Sequence, residues 1–132
     1  MNGAVDLFTV IALLSLPTVM FGGYSLLRLF AARRLTEFQI TYFRAGHAHA
    51  GVLLVLALVV LDIAARSGLN PATQWGVGIM LVVGVLAQSG GMFVHMAIGK
   101  PGKWSVGNTL TTAGAAVLAA ALITTAVGVI VA

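Results

Sequence analysis

Four apolar runs, each long enough to cross a bilayer, leave this chain few ways to fold. A helix needs about 20 mostly apolar residues to traverse the hydrocarbon core. Residues 7–30, 43–64, 75–98 and 106–132 meet that requirement, and stretches 31–42, 65–74 and 99–105 separate them. In lipid every backbone N–H and C=O must find a partner within the protein, and uninterrupted runs of this length satisfy that as helices. Connectors this short return each helix beside the one before it. The sequence therefore predicts an all-α fold, an antiparallel bundle of four membrane-spanning helices in a single transmembrane domain, 1–132.

Composition points the same way. About 60% of the 132 residues are hydrophobic and 8% are charged, whereas a soluble domain carries roughly a quarter of its residues as charges. The surface of this chain is built for lipid. There is no cysteine, which excludes disulfides, thiolate metal sites and cysteine nucleophiles. The net charge is +4, but the basic residues sit in or beside connectors, and no nucleic-acid footprint results. No phosphate loop, paired carboxylates or Ser–His–Asp set is present, so hydrolysis and phosphoryl transfer have no visible machinery.

The first run carries Asp6 and no Lys or Arg before it, and it is too long for a cleaved leader, so it reads as a retained span. Pro17 near its middle predicts a kink, with Ser15 or Thr18 placed to satisfy freed backbone groups. Arg28, Arg33, Arg34 and Arg44 lie in or beside the first connector, Lys100 and Lys103 lie in the third, and only Arg66 lies at the opposite side. That asymmetry predicts a bacterial cytoplasmic membrane protein with connectors one and three in the cytoplasm. Asp62 and Arg66, four apart, suit a local ion pair. Asn108, Thr112, Ala116 and Ala119 form a small-residue stripe expected to make a packing face on the fourth helix, within the bundle or between subunits.

His47, His49 and His95 carry the chemistry. With the spans folded back on one another, all three are expected within about one helical turn of the same depth. Ionisable groups inside a span point to function; an interhelical hydrogen bond or wetting near the interface is the commoner reason for a single histidine, and three at one depth bring the two readings level. His47 and His49 are two residues apart and point to nearly opposite sides of a helix. Joint capture of one metal ion by His47 and His49 is therefore strained, and a macrocycle with one or two axial histidines suits the pattern better. Small residues surround the pair in Arg44-Ala45-Gly46-His47-Ala48-His49-Ala50-Gly51. On the third span Gly84, Gln88, Gly91 and His95 lie on one helix face, expected to contact another helix or line a cavity. Arg44, with Arg33 and Arg34, is placed either to mark topology or to pair haem propionates. Tyr24 is expected at a similar depth, as an interfacial anchor or as a donor to a bound ligand.

The run Arg44 to Gly51, and Val85-Leu86-Ala87-Gln88-Ser89-Gly90-Gly91-Met92-Phe93 in the third span, resemble the small four-helix membrane isomerases, the styrene oxide isomerase and hydroxylaminobenzene mutase type. That resemblance implies haem b held by a second-helix histidine, here His49 or else His47, and an isomerase activity at the iron. The chain departs from the family pattern in two places. Leu53 or Val55 stands where the family has Asn, and His95 stands near a family Tyr. His47-Ala48-His49-Ala50-Gly51 is also similar to haem-ligating helices of the oxygen and nitric oxide reductase type, which again implies haem.

The expectation is a membrane protein that binds haem b, acting as an isomerase or redox protein. His47 and His49 are its metal ligands, Arg44 and Gln88 its further cofactor contacts, and Tyr24 and His95 its catalytic candidates. A cofactor at a subunit boundary would make it a homo-oligomer. The alternative is a non-catalytic subunit or assembly partner of a larger membrane complex, with the histidines as interhelical hydrogen bonders.

Overall fold

The computed structural model describes residues 3–132. It contains α1 (Ala4–Ala31), α2 (Glu37–Arg66), α3 (Pro71–Ile98) and α4 (Val106–Ile130), with no strand among the described residues. All four helices are long and apolar enough to cross a membrane. The fold is the expected multi-pass, all-helical bundle.

The helix starts follow local capping. α2 begins at Glu37, six residues before the apolar run that predicted it. Thr36 caps it: the Gln39 backbone N–H donates to Thr36 Oγ1 at 3.3 Å, and the Thr36 N–H donates to Gln39 Oε1 at 3.0 Å. This reciprocal pair satisfies two otherwise unpartnered donors and carries the helix through polar residues that hydropathy assigns to a connector. Arg44 is therefore helical. α3 starts with Asn70 as its cap and Pro71 in its first turn, a position where the missing proline N–H has no consequence. α4 repeats the capping box with Ser105 and Asn108. α1 closes with Arg33 at φ 49°; the Arg33 and Arg34 N–H groups donate to Phe30 and Leu29 carbonyls at 3.0 and 3.3 Å, the pattern that ends many helices.

α1 runs as one helix through Pro17. Ser15 Oγ donates to the Ile11 carbonyl at 2.7 Å and Thr18 Oγ1 to the Ser15 carbonyl at 2.6 Å. Neither reaches Leu13, whose carbonyl the proline leaves without its helical donor. Both hydroxyls are thus committed to neighbouring carbonyls, not to the freed one. The expected Asp62–Arg66 ion pair forms on the exposed C-terminal end of α2.

α2 and α3 form the central pair; α1 packs on one side of it, α4 packs mainly on α3, and α1 and α4 do not touch. α3 and α4 make the closest contact. A Cβ on Gly91 would lie 2.5 Å from the Thr111 backbone N, and one on Gly84 would lie 2.5 Å from Leu118 Cγ. Cβ atoms on Gly107 and Gly114 would run into the His95 and Gln88 backbone. As residue numbers fall along α3 they rise along α4 by the same amount, so the two helices are antiparallel in constant register. Lipid gives apolar helices no hydrophobic reason to associate, and close backbone approach supplies the van der Waals contact instead. The face of α3 with Gly84, Gln88, Gly91 and His95 is the one expected. The α4 face is not. The buried positions are Gly107, Gly114, Leu118, Ala121, Thr125 and Gly128, whereas Thr112, Ala116 and Ala119 are exposed. α4 is small and apolar on all sides, so composition alone does not select its packed face.

Gly91→Ala is expected to destabilise the bundle by about 1–3 kcal/mol through overpacking. Gly90→Ala, where an added Cβ meets nothing within 4 Å, should be neutral or stabilise by about 0.5–1 kcal/mol through lost chain entropy. Thermal unfolding of the two variants in one detergent measures the difference.

Candidate functional site

Three contact pairs set the heights of the histidines. His47 lies against Gly22 and Gly23 of α1; a Cβ on Gly23 would sit 2.9 Å from its Nε2. A Cβ on Gly46, one residue earlier, would meet the Phe93 ring and the Ser89 carbonyl of α3. The Tyr42 ring stacks edge-on against His95, centroids 4.4 Å apart. His95 is thus level with Tyr42. His47 stands five residues further along α2, about 7.5 Å deeper, and His49 deeper still. The expected common depth within one turn does not hold for His95, because α2 starts earlier than hydropathy implies.

The three rings also occupy separate surroundings. His95 is 2% exposed. Its Nδ1 is hydrogen-bonded to Ser105 Oγ at 2.7 Å, Phe38 packs edge-on at 5.4 Å, and any side chain at Gly99 or Gly107 would collide with it. It is a pin holding the α3–α4 turn against the start of α2. His47 is half-buried on the α1 side, beside Phe43 at 6.4 Å, and its ring nitrogens have no hydrogen-bond partner among the described residues. His49 lies on another flank of α2. Its Nδ1 is 2.8 Å from the Ala45 carbonyl oxygen of its own helix. A carbonyl can only accept, so Nδ1 carries the proton and donates, which leaves the Nε2 lone pair free. His49 lines a shallow groove of about 170 Å³ with Ala48, Val52 and Leu53.

No group of three or more His, Cys, Asp or Glu side chains is gathered as a metal site among the described residues. Tyr24 is level with His47 but faces outward, 55% exposed, with the Arg28 guanidinium 5.6 Å from its ring centre. It joins none of the histidines. Gln88 sits in the α3–α4 seam, where its carbonyl accepts from Thr111 Oγ1 at 3.3 Å. Arg44 is exposed on α2, one turn before Ala48. Of the expected set, Arg44 and His49 both lie on α2 away from the α3–α4 seam, five residues and about 140° apart around the helix.

Residues that sequence reasoning passed over do much of the positioning. Gly22 and Gly23 make room for the His47 ring; the signal was a glycine pair inside a helix, where each glycine weakens the helix unless close packing requires it. Ser105 both caps α4 and holds His95, and its signal was the Ser-x-x-Asn spacing. No protein-family model matches the chain, and no curated protein or solved structure matches it either.

Ser105→Ala removes the α4 cap and the His95 partner together. It should lower stability by about 1–2 kcal/mol, the range of a lost N-cap, measured by thermal unfolding of the reconstituted protein.

Proposed function

We propose that this chain is a haem b protein of a bacterial cytoplasmic membrane, with His49 as the axial ligand, serving isomerisation or electron transfer. The observation that carries the reading is the 2.8 Å contact between His49 Nδ1 and the Ala45 carbonyl. Ligating histidines characteristically donate their other ring N–H to a backbone carbonyl or carboxylate, which fixes the tautomer and the ring plane. Here that support exists while Nε2 has no protein partner.

The surroundings suit a flat group. Ala48, Val52 and Leu53 leave a shallow, apolar groove beside the ring, and the exposed Arg44, one turn before Ala48, carries a long side chain that would reach over to pair a propionate. Haem, when bound, supplies Lewis-acid or one-electron chemistry. The chain contributes the nitrogen, the orientation and an environment without water. A groove this shallow covers one side of a macrocycle, so a second copy of the chain covers the other, and the working form is a homo-oligomer. His47, which faces α1, is not the ligand in this reading, and His95 and Tyr24 take no part in the site.

Protein produced with haem supplied and purified in mild detergent should show a Soret band. His49→Gly should lose it and regain it with added imidazole, while His47→Ala keeps it. A band that survives His49→Gly, or protein that stays colourless throughout, overturns the proposal. The exposed stripe of Thr112, Ala116 and Ala119 on α4 favours a second reading, a subunit of a larger membrane complex; a colourless protein that co-purifies with a stoichiometric partner would support it.

The basic residues at one end of the bundle support a cytoplasmic location for connectors one and three. Because the chain has no cysteine, single substitutions report sidedness cleanly. Lys100→Cys should react with an impermeant maleimide only after the cells are opened, and Ser67→Cys in intact spheroplasts.

A further inference from the structure

Between α1, α2 and α3 lies a cavity of about 220 Å³, separate from the His49 groove. On α1 its lining runs from Phe8 to Val19, and on α2 from Leu61 to Ala50. Either distance is eleven residues, about 16 Å along a helix axis. Spread over that length, the volume makes a narrow slot parallel to the helices, not a round chamber. The slot is closed at its outer end by Phe8, whose ring packs over Gly78 and edge-on against Trp75 at 5.6 Å. It opens sideways between Ile11 of α1 and Leu86 of α3, which line it and are also 37% and 67% exposed.

Its few polar side chains are withdrawn. Ser15, Thr18 and Ser89 donate their hydroxyl protons to carbonyls of their own helices, at 2.7, 2.6 and 2.6 Å. The wall offers hydrocarbon and no free donor. An apolar cavity of this size does not hold water stably, and the phase it opens into is hydrocarbon.

We infer that the slot between α1, α2 and α3 binds a single linear hydrocarbon tail, entering from the bilayer between α1 and α3. Length, direction and lining all match an extended acyl or isoprenoid chain lying along the membrane normal. A compact ring fills the length poorly, and a polar molecule finds nothing to pair with. This site stands whether or not His49 ligates haem, since no residue is shared between them.

The test uses the full chain in nanodiscs containing a phospholipid with a mid-chain diazirine, followed by irradiation and mass-spectrometric mapping. Labelling should concentrate on Ala12, Ser15 and Leu54 above the level on the outward-facing Leu14 and Met20. Ala57→Leu, which fills the middle of the slot, should reduce labelling there to the level of the outward faces. Ser15→Leu at the rim gives the same readout should the buried variant not fold. An unlabelled single-chain fatty acid that displaces the label identifies a free lipophile as the occupant. A label that only phospholipid competes away identifies a bilayer tail. Labelling spread evenly over all lipid-facing residues, or unchanged in both filled variants, overturns the inference.

Discussion

The backbone contact between α3 and α4 is the constraint on which the rest of the molecule depends. In a solvent as apolar as leucine, side-chain hydrophobicity holds no two helices together. What remains is how closely their surfaces can meet. Gly84, Gly91, Gly107 and Gly114 remove the side chains that would keep α3 and α4 apart, and the register they set fixes where the α4 cap lies. Ser105 is brought to His95 by that register. His95 in turn meets Phe38 and Tyr42, and so ties the end of the α3–α4 hairpin to the start of α2.

The three histidines answer one problem in three ways. An imidazole in hydrocarbon must satisfy its nitrogens or keep them within reach of something polar. His95 does so through Ser105, deep in a junction of three helices. His49 turns one nitrogen back to its own helix and keeps the other free. His47 rests on a glycine pair with both nitrogens unpaired among the described residues. His49 alone of the three has one ring nitrogen held by a hydrogen bond and its ring beside an open groove, which is why the proposed ligand is His49 and not its neighbours.

Hydropathy made the four helices and their antiparallel order legible, because a spanning helix is specified by length and composition. The 4-3-4 spacing of Gly84, Gln88, Gly91 and His95 also identified the α3 face correctly. Two things were hidden. The start of α2 is set by a reciprocal Thr36–Gln39 hydrogen bond, a local signal that an average over twenty residues erases. The α4 face that packs against α3 begins at Gly107, one residue before the Asn108 stripe, and it was not read, since alanine, threonine and glycine on every side leave no contrast. The first error shifted the depth assigned to His95 relative to the pair on α2. The second concerns only which surface α4 leaves free.

The lack of contact between α1 and α4 bears on how the chain is assembled. Every helix touches only those within two places of it in the chain. As segments leave the ribosome and enter the bilayer one after another, each finds its final neighbours already present. α4, arriving last, docks onto a glycine-lined face that α3 already displays, and nothing built earlier has to open to admit it.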